Sequence, residues 1–179
     1  SDDTIIPKTM LMWWVGAGIK LPTGKYQQRD YNKSMLPPGL QVGTGAYSYL
    51  INNQISIRKD NIGVNWHSSL SLNAYNELQY KMGNVYQSNL QINYRVKTGE
   101  KVKYLPQLGI HYMYLERDKY YGLRNINSGG ERVLLSLGLD LFVENWLFSA
   151  IIYNPILERK GLFLPQTLVS SQFNLAYFF

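Results

Sequence analysis

Alternation is the dominant pattern along the chain. Val64, Trp66, Leu70 and Leu72 share one side of an extended segment, and Asn65, His67, Ser69, Ser71 and Asn73 share the other. The next segment repeats the pattern, with Leu90, Ile92, Tyr94 and Val96 opposing Gln87, Asn89, Gln91, Asn93, Arg95 and Lys97. Every position on that second side is polar or charged, so it cannot pack as an oily core. Leu108, Ile110, Tyr112 and Tyr114 oppose Gln107, Gly109, His111 and Met113 in the same way. A further segment sets Val133, Leu135, Leu137, Leu139, Leu141 and Val143 against Ser136, Gly138, Asp140 and Glu144.

Four other segments complete the set. From Thr9, the row Leu11, Trp13, Val15, Ala17, Ile19 and Leu21 opposes Gly16, Gly18 and Lys20. A second strand is expected from about Leu40 to Ile57, with a bulge at Asn52-Asn53 because the apolar phase is clearer after it. The seventh, Trp146 to about Ile156, is apolar on both sides and has no readable phase; Pro155 is expected near its end, where a lost ladder bond matters least. The last, Leu168 to Phe179, puts Phe173, Leu175, Tyr177 and Phe179 on one side and Gln172, Asn174 and Ala176 on the other.

The connections have a rhythm. Those after the second, fourth and sixth strands are tight, at Lys59-Asp60-Asn61, Thr98-Gly99-Glu100-Lys101 and Glu144-Asn145. Those after the first, fifth and seventh are longer, at Pro22 to Gly39, Arg117 to Gly130 and Glu158 to Gln166. The third, at Asn76-Glu77, reads as a short exception. Short turns on one side and long loops on the other are the habit of outer-membrane barrels, whereas a soluble sandwich has apolar inner faces. The expected fold is all-β: an antiparallel transmembrane β-barrel of about eight strands, one domain over residues 1–179. In a closed barrel the last strand pairs with the first, and an even strand count returns both chain ends to the periplasmic side.

Composition agrees with this reading. Aromatic residues make up 14 % and charged residues 17 %, against about 25 % charged in a typical soluble domain. No apolar run approaches the roughly 20 residues of a membrane helix, so any spanning is by strands. The absence of cysteine excludes a disulfide framework and a thiolate metal site. The net charge of +6 is scattered without a dense basic run, so no nucleic-acid partner is expected. Ser1-Asp2-Asp3-Thr4 has neither the basic start nor the apolar core of a signal peptide.

The terminal strand, ending in Phe179 with Phe173, Leu175 and Tyr177 at alternating positions, resembles the insertion signal of bacterial outer-membrane barrels. That resemblance implies outer-membrane lipid and the barrel-insertion machinery as partners. Two further stretches, Val15-Gly-Ala-Gly-Ile-Lys-Leu-Pro-Thr-Gly-Lys-Tyr26 and Leu36-Pro-Pro-Gly-Leu-Gln-Val-Gly-Thr-Gly45, resemble the MetA-like outer-membrane transporter family linked to phenol degradation, including its Bacteroidetes relatives. In that family these segments lie inside a longer barrel. The chain is therefore expected to be either a self-contained eight-stranded barrel or the C-terminal part of a wider one.

The candidate lumen-lining residues are Lys20, Asn65, His67, Gln87, Asn89, Gln91, Asn93, Arg95, Lys97, Gln107, His111, Asp140 and Glu144. In a narrow barrel the cations Lys20, Arg95 and Lys97 are expected to pair with Asp140 and Glu144; in a wide one they line water and bias ion selectivity. His67 and His111 could share a metal only at matching heights, and no carboxylate clusters with them in sequence, so no metal or cofactor is expected. No nucleophile elbow, metalloprotease motif or phosphate loop occurs, and Ser69 and Ser71 beside His67 lack an orienting Asp; no enzyme activity is expected. The expected function is passive passage of small solutes. The alternative is a barrel that anchors other envelope proteins through the loops Pro22 to Gly39 and Arg117 to Gly130.

Overall fold

The computed structural model describes residues 9–37, 40–98, 101–161 and 166–179. Its strands are β1 (Thr9–Lys20), β2 (Ser48–Lys59), β3 (Ile62–Asn73), β4 (Tyr80–Lys81), β5 (Val85–Tyr94), β6 (Val96–Thr98), β7 (Val102–Leu115), β8 (Lys119–Tyr120), β9 (Leu123–Arg124), β10 (Gly130–Val143), β11 (Trp146–Lys160) and β12 (Ser170–Tyr177). The fold is all-β. Eight long strands form an antiparallel meander in the order β1-β2-β3-β5-β7-β10-β11-β12, with β6 prolonging β5 along β7. A separate small sheet, β4-β8-β9, is built from the connections.

Cross-strand partners share a face, so the register assigns every side chain to one of two sides. The row Leu11, Ile57, Val64, Ile92, Leu108, Leu137, Ile152 is apolar until it reaches Ser171. A neighbouring row on the other side joins Asn65, Gln91, Gly109, Ser136, Tyr153 and Ser170. The two faces differ in burial as well as polarity. Leu137 on the apolar face is 61 % exposed, whereas Ser136 beside it on the polar face is 4 % exposed.

The sheet is not closed among the described residues: β1 and β12 each have a single neighbour, and the expected pairing of last strand with first is not seen. β1 is exposed along its whole length on both faces, and so is β12. Both strands present unpaired edges.

One end of the sheet carries tight turns and the other carries loops. β2 meets β3 through Asp60-Asn61, and β10 meets β11 through Glu144-Asn145, each a two-residue turn whose first residue has positive φ, 51° and 53°. Thr9 and Tyr177 lie at this turn end, opposite Lys59 and Trp146. All four connections at the other end are long. The β3–β5 connection spans Ala74 to Asn84 and contains β4, so the expected short exception is in fact a loop.

Three local expectations are corrected. The β2 register runs unbroken from Ser48 opposite Asn73 to Lys59 opposite Ile62, so Asn52-Asn53 is not a bulge, and Leu40 to Tyr47 lies outside the strand. Pro155 is interior to β11, tolerated because the ladder shifts there: Val133 faces Leu157 while Leu134 faces Pro155, leaving Ile156 as the extra residue. It also lies beyond Tyr153, the last β11 residue paired with β12, so β11 is an edge strand at that point. The break between β5 and β6 falls opposite Pro106, which has no N–H to give, and the Arg95 N–H donates instead to the Asn61 carbonyl at 2.7 Å.

Candidate functional site

The polar face is held by side chains that bridge strands. Asn89 on β5 sits between His67 on β3 and His111 on β7 in one row, with ring nitrogens 3.5 Å and 3.1 Å from its amide. His111 Nε2 then lies 2.8 Å from Ser136 Oγ on β10, and the Tyr153 ring of β11 meets the His111 ring edge-on at 5.2 Å. A second chain runs Gln91 to Gln107 to Asp140, the Gln107 amide donating to Asp140 Oδ1 at 3.3 Å. Glycines make room for these long side chains. A Cβ on Gly109 would meet Ser136 Oγ at 2.5 Å, and one on Gly138 would meet Gln107 Nε2 at 2.8 Å. Asn93 covers Gly63 in the same manner, and its Oδ1 is buried without a partner among the described residues.

Eleven of the thirteen expected lining residues share this face: Lys20, Asn65, His67, Gln87, Asn89, Gln91, Asn93, Lys97, Gln107, His111 and Asp140. Two do not. Arg95 falls in the interruption between β5 and β6. Glu144 occupies the β10–β11 turn in a left-handed conformation and pairs with Lys101 at 2.7 Å in solvent. The expected pairing of Lys20, Arg95 and Lys97 with Asp140 and Glu144 is absent among the described residues, since Asp140 is bound by an amide and Glu144 by a turn lysine. Phe173, Leu175 and Tyr177 line the apolar face of β12 beside Ala150, Phe148 and Trp146; Phe179 lies beyond the strand, its ring edge-on to Tyr177 at 5.3 Å.

His67 and His111 do share a height, but Asn89 stands between them, and no group of three or more His, Cys, Asp or Glu gathers among the described residues. Ser136, His111 and Asn89 reproduce the order of a nucleophile, base and orienting amide. Ser136 is buried, and its backbone lies within the paired run of β10 between β7 and β11, so no pair of free N–H groups stands beside it to hold an oxyanion. The arrangement is suited to cross-linking three strands. A recess of about 180 Å³ opens next to it, lined by Gln87, Asn89, His111, Arg132 and Tyr153 among others.

The loop end is a folded cap that alternation could not reveal. The two family-like stretches meet there: Gly43 N–H donates to the Lys25 carbonyl at 2.8 Å, and a Cβ on Gly24 would come within 2.9 Å of Gly43 Cα. Gly45 takes φ of 66° beneath the Tyr26 ring. The buried Asn76 amide donates to the Thr44 carbonyl at 3.0 Å, joining the β1–β2 and β3–β5 loops. Tyr26 donates to Glu77, which holds its phenol above the ordinary value. Tyr80 donates to Asp118; burial first, and then that carboxylate, push its phenol well above the usual range. Glu116 is bound by Lys119 and by the Asn84 amide, each at 2.8 Å, and the Lys119 contact lowers its carboxyl. These loops enclose a cavity of about 600 Å³ lined by Tyr26, Gln41, Asn76, Tyr80, Tyr120 and Arg124 among others.

No known protein family, curated protein or solved structure matches this chain.

Proposed function

We propose that the chain forms all or part of a membrane-spanning β-barrel in a bacterial outer membrane, and that it passes small polar solutes passively along its polar face. The observation that carries this reading is the two-faced sheet. A continuous apolar face with Leu11 at 68 % exposure and Phe173 at 76 % needs an apolar surrounding, while the opposite face is polar across its middle strands. A twelve-residue strand tilted by about 45° rises roughly 28 Å, close to the thickness of a hydrocarbon core. On the apolar face Tyr94, Tyr104, Trp146 and Tyr177 lie toward the turns and Tyr49, Tyr86 and Tyr114 toward the loops, with Trp13 and Trp66 between the two groups. That distribution suits the two interfaces of a bilayer.

Turns, Thr9 and Tyr177 then face the periplasm and the loop cap faces outward. Closure requires that β1 and β12 meet each other or that further strands join them; the intact mass of the protein from its native membrane separates the two. The resemblance to the MetA-like family supports transport, and the terminal strand supports insertion by the barrel-assembly machinery. The Ser136, His111 and Asn89 chain serves to hold the face together, not to catalyse. A short-chain ester panel tests this, and hydrolysis abolished by His111→Ala would overturn it. The channel reading is tested by planar-bilayer recording from the folded, full-length protein. Discrete conductance steps are expected, and their absence contradicts it.

A second reading, an anchor for other envelope proteins, is favoured by the loop cap, which exposes Tyr31, Val42, Tyr121, Leu123 and Ile126. Co-purification of a defined partner that is lost on Leu123→Asp, with no conductance from the intact protein, would establish that reading instead.

A further inference from the structure

We infer that the polar face selects for anions. This rests on the channel reading above and names the class of solute it favours. The register places six cations on that face within the long strands and β6: Lys20, Arg58, Lys97, Lys103, Arg132 and Lys160. Among the described residues two carboxylates share it, Asp140 and Glu158. Glu158 is engaged by Lys160 at 3.7 Å and by Thr167, and Asp140 by Gln107. The apolar face carries Lys59, Glu131 and Arg159 at its margins, so the excess of positive charge belongs to one side of the sheet.

The placement is as informative as the count. Lys97 stands directly opposite Lys103 across β6 and β7, both exposed, with no ion pair to either among the described residues. Like charges in that position oppose strand pairing, so the arrangement costs stability unless a counter-ion occupies it. Glu100, between Lys97 and Lys103 in sequence, lies outside the described residues; counted with the face, it leaves six cations against three anions. Arg58 and Arg95 lie at the same end.

The loop end adds to the bias through two further cations. Arg117 and Arg124 line a cavity of about 500 Å³ beside Lys160, already counted on the face, and Arg159, which Glu131 pairs. The neighbouring carboxylates there are already engaged, Glu116 by Lys119 and Glu131 by Arg159. Positive charge at both mouths of a polar passage focuses the field and raises the local concentration of small anions such as chloride, phosphate, sulfate or carboxylates.

The test is the reversal potential of the folded, full-length protein in a planar bilayer under a potassium chloride gradient. A chloride permeability above that of potassium is expected, with the ratio moving toward potassium in the double variant Lys97→Glu, Lys103→Glu. A wild-type preference for potassium, no preference, or a ratio unmoved by the variant would overturn the inference while leaving the channel reading intact. Without conductance the channel reading falls, and a second measurement decides the anion question. At constant ionic strength, inorganic sulfate should raise the melting temperature of the detergent-solubilised protein, and Lys97→Gln with Lys103→Gln should remove that rise; no rise in the wild type overturns the inference.

Discussion

The indole of Trp13 on β1 donates to Asn53 Oδ1 on β2 at 2.7 Å, within the apolar face of the sheet. Trp66 does the same for Ser88 at 3.0 Å one hairpin further on. Two of the polar side chains on that face, Asn53 and Ser88, are thus tied to neighbours, the arrangement that a lipid-facing surface favours. Trp13→Phe removes the donor and leaves the Asn53 carbonyl unpaired. In lipid the loss should be about 1–3 kcal/mol by urea unfolding from vesicles, and Asn53→Leu in the same background should restore most of it. If water covered this face, the single change would cost almost nothing.

The polar face should respond to added volume instead. Gly109→Ala drives a methyl into Ser136 Oγ and toward His111 Nε2, 3.1 Å away, whereas Gly16 on β1 has nothing within 4 Å of the same position. Unfolding measurements should give a loss of about 1–3 kcal/mol for Gly109→Ala and little change for Gly16→Ala.

Charge should be tolerated by face. Leu137→Arg places a guanidinium on the exposed apolar side of β10 and should weaken insertion by about 2–4 kcal/mol if it sits near the bilayer centre. Ser69→Arg, on the polar side of β3, should insert as the wild type does in a vesicle-folding assay.

The loop cap should open in acid. Lys119 holds the Glu116 carboxyl below its ordinary value of 4.5, so the stability it contributes is present above that value and is lost as pH falls through the lowered one. Tyr80 has the opposite sign: its raised phenol stabilises the cap below the ordinary value of 10, and the contribution fades only as pH rises through the shifted one. Hydrogen-exchange protection factors across Ala74–Asn84 and Glu116–Gly129 should therefore be high near neutrality and fall in acid. Glu116→Gln should flatten the acid limb.

The long strands are readable because two-residue alternation survives wherever a strand has one apolar and one polar face, as in β3, β5, β7 and β10. β11 was unreadable for a physical reason. The extra residue Ile156 flips its phase, putting Ala150 and Ile152 on the apolar face before it but Leu157 and Arg159 after it, while Leu147, Ile151 and Tyr153 are apolar side chains on the polar face. Asn53 misled because a polar residue on the apolar side looks like a phase slip until its partner Trp13 is known. Arg95 and Glu144 followed the parity of their strands but lie where the strands have stopped, one at the break opposite Pro106 and the other in a turn. The cap was invisible because its strands are two residues long and its ties, such as Tyr80 to Asp118, join loops far apart in sequence. The His67, Asn89, His111 and Ser136 chain needed the register between strands, which alternation within each strand does not specify.

The most direct measurement exploits the absence of cysteine. Single cysteines introduced in turn from Val133 to Val143 on β10, spin-labelled in lipid vesicles, report contact with oxygen dissolved in the bilayer or with a water-soluble nickel chelate. Labels at 133, 135, 137, 139 and 141 should be relaxed by oxygen and shielded from nickel, and those at 134, 136, 138 and 140 should show the reverse or restricted access to both. Equal access of nickel to both sets would contradict a membrane-spanning sheet with lipid on one face and a polar interior on the other.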